Sequence, residues 1–95
     1  MDEFEWDHKK NAQNLAKHGI SFEEAATIWE GPVVTGEDGA HDSEPREISF
    51  GLIGATIVVC VVHTIRNGKT RIISARRATG KERREFNDYL KRASR

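Results

Sequence analysis

The stretch RIISARRATGKERREF at residues 71–86 decides the fold, because it joins a strand directly to a helix. Its apolar first half predicts a buried strand that reaches the surface at Arg76 and Arg77. The segment Thr79-Gly-Lys-Glu82 is a capping box, which predicts the first turn of a helix. Guanidinium groups are therefore gathered where a strand edge meets a helix N-terminus, and both features attract phosphate.

The residues before this junction predict an antiparallel sheet. Asn67-Gly68 is a strong hairpin signal, so the two strands that flank it are expected to pair antiparallel. Residues 36–45, which contain His41, are rich in turn-forming residues and predict a loop. Alternation and apolar runs predict four strands, at residues 33–35, 46–52, 57–64 and 70–77.

Two helices are expected before these strands. Asp7 is a plausible N-cap for a helix at about residues 8–18. Ser21-Phe-Glu-Glu24 is a second capping box, and Gly31-Pro32 ends the helix that it opens. The order ααββββα predicts an α+β fold for a single domain over residues 1–95, in which helices cover one face of a four-stranded antiparallel meander.

The formal net charge of zero hides a strong asymmetry. Residues 1–45 contain eleven acids and three bases, a net charge of −8, whereas residues 46–95 contain four acids and twelve bases, a net charge of +8. Such a division favours a polyanion-binding face on the second half. The alternative is that the two halves pair with each other on folding, and composition alone leaves both open.

Several classes of protein are disfavoured by the composition. The N-terminus is acidic and lacks the apolar segment of a signal peptide, and no window approaches the ~18–20 apolar residues of a membrane span. Cys60 lies in an apolar run and is expected to be a buried hydrophobe, which fits a reducing cytoplasm. The four histidines form no HxxxH pair, so neither a metal site nor a cofactor is expected.

Three blocks of the chain resemble the BrnT family of toxins: Phe4-Glu-Trp-Asp7, the segment 14–25 (NLAKHGISFEEA) and the segment 71–79 (RIISARRAT). The resemblance extends over nearly the whole chain. It implies a RelE-like fold and a ribonuclease toxin of a type II toxin–antitoxin system, which arrests bacterial growth by inhibiting translation. It also implies neutralisation by BrnA, a ribbon-helix-helix antitoxin, with DNA contacted only through the antitoxin complex and with no membrane partner.

The chain departs from the family pattern at two positions. His63 stands where the family often has Tyr, and Ile65 stands where the family commonly has an acid. If either position takes part in catalysis, the activity or the sequence preference of this chain is expected to differ.

RNA can be cut without a metal when a base deprotonates the 2′-OH and cations stabilise the pentavalent phosphorane, which leaves a 2′,3′-cyclic phosphate. Arg76 is the first candidate, because RelE-like toxins place a phosphate-contacting arginine on their last strand. The alternative role is an ion pair with Glu82 or Glu85. Strand alternation predicts one face with Ile72, Ser74 and Arg76, and another with Arg71, Ile73, Ala75 and Arg77.

Four further residues complete the candidate catalytic set. His63 and Arg66 bracket the end of the central strand, and His63 is a candidate for proton transfer or only for a hydrogen bond that caps the strand. Arg46 is expected to reach the same surface or to be a solvated strand-edge charge. Tyr89 is a candidate for base stacking or for protonation of the leaving group, or else a core residue.

Candidate substrate-binding residues are Arg71, Arg77, Lys81 and Arg84. For the two helical residues the alternatives are a solvated helix face or contact with acids of the antitoxin. Three functions therefore remain open: a metal-independent endoribonuclease toxin, a non-catalytic co-repressor module that acts with a DNA-binding antitoxin, and a plain nucleic-acid binder.

Overall fold

The computed structural model describes residues 3–41 and 44–94, with residues 39–41 described through their backbone alone. The predicted α+β class is confirmed, and the order of elements in the described residues is βααββββα. The strands are β1 (Phe4–Glu5), β2 (Val34–His41), β3 (Glu44–Ile53), β4 (Ile57–Arg66) and β5 (Lys69–Arg77). The α-helices are α1 (His8–His18), α2 (Phe22–Ala26) and α3 (Gly80–Ala93), and a 3₁₀ turn (Thr27–Glu30) extends α2.

The predicted four-stranded antiparallel meander is wrong, because the sheet has five strands and is mixed. Its order is β1-β5-β4-β3-β2, and β1 pairs with β5 in parallel, with Phe4 opposite Thr70. A strand of two residues is too short to give an alternation signal. Its pairing depends on the free edge that β5 offers, which is a tertiary feature.

The predicted loop at residues 36–45 is also wrong over most of its length. β2 continues to His41, and β3 begins at Glu44, so the two strands form a long antiparallel hairpin. The register shifts between Glu37 and Ala40, where an irregularity accommodates the glycine-rich sequence. The turn-forming residues therefore bend the strand without ending it. The side chain of His41 lies outside the described part of the structure.

One face of the sheet is covered by α1, α2 and the 3₁₀ turn, and we call it the helix-covered face. Alternation places Ser49, Val59, Val61, His63 and Ala75 on it. The core cluster of buried side chains lies here and consists of Ile20, Phe22, Ala25, Ile28, Val59, Val61, Ile72 and Ala75.

The opposite face carries α3 at one end, and we call it the open face. Its strand positions include Ile48, Phe50, Cys60 and Ser74, and Phe86 of α3 is buried against it beside Phe50. The predicted packing of all helices on one face is therefore wrong, because α3 follows the end of β5 and crosses to the other side. Cys60 is buried, as predicted.

Asn14 of α1 fixes the helix to the edge of β5. Its amide nitrogen donates to the carbonyl oxygens of Ala75 at 2.8 Å and of Ile20 at 2.9 Å, and its amide oxygen accepts from the Ala75 N–H at 3.1 Å. A single buried side chain thus pairs with strand β5 where β1 no longer covers it, which satisfies backbone groups that burial would otherwise leave unpaired.

The predicted helix starts are confirmed. Asp7 accepts from the Lys10 N–H, and both capping boxes are complete, with Ser21 and Thr79 as N-caps. The capping box of Thr79 and Glu82 lies directly after β5, so it fixes the point at which α3 begins.

Candidate nucleic-acid interface

A β-bulge in β5 determines which arginines share a face. Ser74 lies opposite Val62 and Ile72 lies opposite His63, so Ile73 is an extra residue that faces no residue of β4. The extra residue reverses the alternation of the strand on its N-terminal side. Ile72 is therefore buried in the helix-covered core, and the predicted grouping of Ile72 with Arg76 is wrong.

The same bulge moves Arg71 to the open face. Arg71 pairs with Thr64 and Arg76 pairs with Cys60, and both partners lie on the open face of β4. The prediction that Arg71 and Arg76 point in opposite directions is therefore wrong. Sequence alternation could not have found this, because nothing in the run RIISARR marks Ile73 as unpaired.

Arg46, Arg66 and Arg71 form an arginine cluster on the open face, contributed by β3, β4 and β5. Arg66 Nη2 donates to Glu44 Oε2 at 2.7 Å, and Arg71 Nη1 donates to Glu5 Oε2 at 2.9 Å. The hydrogen bond from Arg66 lowers the pKa of Glu44, and the charges of Arg46 and Arg71 lower it further, so the three guanidinium groups share one electrostatic environment.

Arg46 differs from the other two members of the cluster. Its Nε is enclosed, and among the described residues it has no hydrogen-bond partner. An enclosed donor without a partner is uncommon in folded proteins, and Nδ1 of His63 on the other face is in the same state.

Arg76 lies farther along β5 and is held by α3. Its Nη1 and Nη2 donate to the two carboxylate oxygens of Glu82 at 2.8 and 3.0 Å, and Nη1 also donates to the Arg77 carbonyl at 3.2 Å. The hydrogen bond from Arg76 lowers the pKa of Glu82 to about 2, which keeps that carboxylate charged. The ion pair that the sequence offered as an alternative role is thus present.

The ion pair leaves part of the Arg76 guanidinium unused. Arginine has five N–H donors, and three of them make the bonds just described. The remaining Nε–H and Nη2–H form one edge of the planar group, and they have no partner among the described residues. The side chain as a whole is 41% exposed, so it is accessible to solvent beside α3.

His63 lies on the other side of the sheet from the arginines. It is 4% exposed, its ring is nearly perpendicular to that of Trp29 with centroids 5.0 Å apart, and its Nε2 lies 2.7 Å from the Ser49 hydroxyl. The Ser49 hydroxyl in turn lies 2.7 Å from that of Thr35. Burial lowers the pKa of His63, so its neutral form is favoured. The structure therefore does not bring His63 together with Arg46, Arg66 and Arg76.

Tyr89 is not a core residue, because its side chain is 45% exposed. It lines a groove of about 340 Å³ between α3 and the open face, together with the apolar side chains of Val34, Phe50 and Phe86. Glu82, the partner of Arg76, also lines this groove. Tyr89 is therefore near Arg76 through α3 and not through the sheet.

The other three predicted substrate-binding residues lie apart from the open-face arginines. Arg77 pairs with Val59 of the helix-covered face and is exposed at the end of β5. Lys81 is almost fully exposed and lies 4.0 Å from Glu85, one turn along α3. Arg84 is also exposed on α3.

Some of the acids in the first half of the chain form ion pairs with bases in the second half. Within the described residues, ion pairs that join the acidic half to the basic half include those of Glu3 with Lys69, Glu5 with Arg71 and Glu44 with Arg66. Both interpretations of the asymmetry therefore apply, because these pairs hold the halves together and also orient two arginines on the open face. The carboxylates of Glu5 and Glu44 were missed from the sequence, since the register that brings them to the arginines is tertiary.

No group of three or more His, Cys, Asp or Glu side chains in the described residues is arranged to hold a metal ion. Within the same residues, no helix is long and apolar enough to cross a membrane.

Comparison with known proteins identifies a family and a related solved structure. Residues 6–82 match the model of the family described as the ribonuclease toxin BrnT of type II toxin–antitoxin systems. The crystal structure of the Brucella abortus ribonuclease toxin BrnT superposes with a TM-score of 0.62 at 22% sequence identity, over 83% of this chain and 99% of that one. No curated protein matches the chain in sequence.

Proposed function

The chain belongs to the BrnT family of ribonuclease toxins of type II toxin–antitoxin systems, and we propose that it is a metal-independent endoribonuclease that binds RNA on its open face. One observation supports this proposal above the others. The bulge at Ile73 places Arg71 and Arg76 on the same face as Arg46 and Arg66, so that four guanidinium groups line one surface of the sheet.

Arg76 is the residue that contacts the scissile phosphate in this proposal. Its unused Nε–H and Nη2–H edge matches two non-bridging phosphate oxygens, while Glu82 holds the adjacent edge, formed by Nη1 and Nη2, in place. The 2′-hydroxyl loses its proton to water as its oxygen bonds to phosphorus, the P–O5′ bond breaks, and the leaving 5′-oxygen takes up a proton from water. The products are a 2′,3′-cyclic phosphate and a 5′-hydroxyl. Arg76 stabilises the extra negative charge of the phosphorane, and the arginine cluster holds the neighbouring phosphates.

The positions at which the chain departs from its family do not alter this site. Alternation places His63 and Ile65 on the side of the sheet away from the four arginines. His63 is also buried and hydrogen-bonded to Ser49, so it is not assigned a part in proton transfer here.

The family also supports a proposal about partners. A type II system pairs its toxin with a protein antitoxin, and we assign a BrnA-like ribbon-helix-helix protein to that role. DNA is then contacted only through the antitoxin complex. The toxin inhibits translation by cutting RNA in the cytoplasm, where its substrate lies.

The test compares two adjacent arginines. The purified chain is incubated with total RNA in EDTA, and Arg76→Ala is run beside Arg77→Ala, which removes the same charge from the other side of β5. We expect Arg76→Ala to lower the cleavage rate by about 100-fold or more and Arg77→Ala to change it less than about threefold. Products should carry 2′,3′-cyclic phosphate ends. Equal loss in the two variants would contradict the assignment of Arg76, and persistent lack of cleavage by the wild type would contradict the metal-free reaction.

A second function has one observation in its favour. Arg66, Arg71 and Arg76 each already bind a carboxylate of the same chain, which reduces the positive charge available to RNA. This favours the non-catalytic co-repressor module that acts through a DNA-binding antitoxin. Intact RNA both with and without added ribosomes, together with antitoxin-dependent DNA binding, would support that function instead.

A further inference from the structure

We propose that the groove between α3 and the open face is a nucleobase pocket that selects guanine beside the phosphate held by Arg76. This inference rests on the proposed function, since it names the nucleotide that the ribonuclease site would recognise. The groove has a volume of about 340 Å³ and is formed by β2, β3 and α3. A planar base can enter such a space, whereas a longer helical segment of a partner cannot be enclosed by it.

The groove is continuous with the phosphate site. Glu82 lines the groove and also binds Arg76 through both of its carboxylate oxygens. The groove therefore begins one side chain away from the guanidinium edge that is free for phosphate. A nucleotide whose phosphate binds Arg76 has its own base, or that of its neighbour, within reach of the groove.

Three aromatic side chains line the groove and make it suitable for a base: Phe50, Phe86 and Tyr89. Phe50 projects from β3 and Tyr89 projects from α3, and both line the groove. Stacking of a base on an aromatic side chain is sequence-tolerant, because every base has a π-face. The rings thus explain binding of a base, and the choice between bases has to come from polar groups.

In this proposal the carboxylates on the rim of the groove discriminate between the bases. Glu85 precedes Tyr89 by one helical turn, so the two side chains lie on the same face of α3, and Asp88 lies beside them on the rim. A carboxylate is an acceptor with two oxygens. Guanine has two adjacent donors on its Watson–Crick edge, N1–H and N2–H. Adenine and cytosine each have one amino donor next to an acceptor nitrogen. Uracil has one imino donor between two carbonyls. We assign Glu85 as the acceptor of the guanine edge.

The charge of the groove is compatible with RNA. Glu82 is paired with Arg76, and Arg92 also lines the groove, so the lining contains a cation beside Glu85 and Asp88. The carboxylates therefore face the neutral, donor-rich edge of a base, while the arginines lie near its phosphates. A cationic peptide is the competing occupant of the groove, and selective binding of a guanine-containing oligonucleotide would favour the base over the peptide.

The single tyrosine of the chain provides a direct reporter of the groove. The full chain is titrated with non-cleavable 2′-O-methyl tetranucleotides UUGU, UUAU, UUCU and UUUU, and the ring resonances of Tyr89 are followed by NMR. We expect UUGU to shift these resonances and to bind about 10-fold more tightly than the other three. Resonances that do not move, or four equal affinities, would overturn the proposal, whether or not a basic peptide binds the groove.

Two variants make the assignment specific. Glu85→Gln should lower UUGU affinity about 10-fold and leave the other three oligonucleotides unchanged, while Glu30→Gln, an equal charge change on the 3₁₀ turn, should alter none of them. Tyr89→Ala should weaken all four, by about fivefold or more. Both groove residues are exposed, so neither change is expected to unfold the chain.

Cleavage distinguishes the failure of this inference from that of the proposed function. If the wild type cuts RNA through Arg76 but the base preference at its cut sites is the same in Glu85→Gln, only the pocket assignment fails. If guanine binds at Tyr89 but RNA is not cut, the ribonuclease proposal fails and the pocket stands as a binding site.

Discussion

The helix-covered face and the open face consist of the same strands, yet a group of polar side chains is neutral on the first face and another is charged on the second. On the helix-covered face, His63, Ser49 and Thr35 form a chain of hydrogen bonds among neutral groups. On the open face, Arg66, Arg71 and Arg76 are permanently charged and paired with carboxylates near solvent.

This difference follows from the cost of burial. A neutral polar group can be buried when it is hydrogen-bonded, whereas an isolated buried charge is far more costly. The face that packs against α1 and α2 therefore keeps a histidine whose neutral form burial favours. The face that remains accessible can carry the charges that a phosphate requires.

The largest expected effect is on the free energy of unfolding, and it comes from replacing one glycine by valine on each face. In Gly51→Val the new Cβ would lie 2.7 Å from Ile28 Cβ and 3.1 Å from Val33 Cγ1, so the 3₁₀ turn would have to move away from β3. We expect a loss of about 3 kcal/mol in the free energy of unfolding. Gly36 lies on the open face, and a Cβ added there would have nothing within 4 Å, so Gly36→Val should change stability by less than about 1 kcal/mol.

Urea unfolding of both variants measures this contrast. Similar losses in Gly36→Val and Gly51→Val would mean that the open face is packed as tightly as the other one, and the comparison between the faces would fail.

A smaller effect is expected from acidification. Because burial lowers the folded-state pKa of His63, the unfolded chain binds more protons than the folded chain below pH ~6.5. The stability that neutral His63 provides is present above that pH and is lost as the pH falls, by at most about 1.4 kcal/mol per pH unit. The Arg76–Glu82 pair does not contribute between pH 7.0 and 5.5, since the ordinary pKa of 4.5 and the folded-state pKa of about 2 both lie below this range; its contribution is lost only at lower pH.

The measurement is the urea midpoint of the wild type and of His63→Gln at pH 7.0 and 5.5. The wild type should lose more stability than the variant on acidification, and the difference isolates His63 from the other histidines. An equal loss in both proteins would show that His63 does not titrate differently on folding.

The smallest effect concerns RNA retention on the open face. Arg66→Gln should weaken RNA binding about fivefold, or about 1 kcal/mol, and should reduce the slope of log affinity against log salt by about 0.7, the value for one phosphate contact on a single strand. Arg77→Gln removes the same charge from the other side of β5 and should leave the slope unchanged. Filter binding over a salt series tests both, and identical slopes for the two variants would contradict RNA binding by the open face.

Local signals in the sequence predicted local structure well. Asp7, Ser21 and Thr79 cap helices where predicted, and Asn67-Gly68 joins β4 to β5, because caps and tight turns depend on residues only a few positions apart. The same local reasoning failed at residues 36–41, where pairing with β3 overcame the turn-forming composition.

The candidate site was predicted only in part. The sequence pointed to arginines of the last three strands, and their role in the site stays a prediction, whereas the predicted arrangement of these arginines differs from the one in the structure. His63 is separated from Arg66 by the pleat of β4, and Glu5 and Glu44 join the cluster only through pairings with distant strands.

The sequence by itself determined the α+β class, the helix starts, the β4–β5 hairpin and the family, since these depend on short-range patterns and on specific blocks of neighbouring residues. The tertiary structure decided which side chains share a surface. A pleated strand changes face at every residue, so the one unpaired residue Ile73 is enough to bring Arg71 to the side of Arg76. Whether such a residue is unpaired depends on the register with β4, and the sequence of β5 alone does not contain that register.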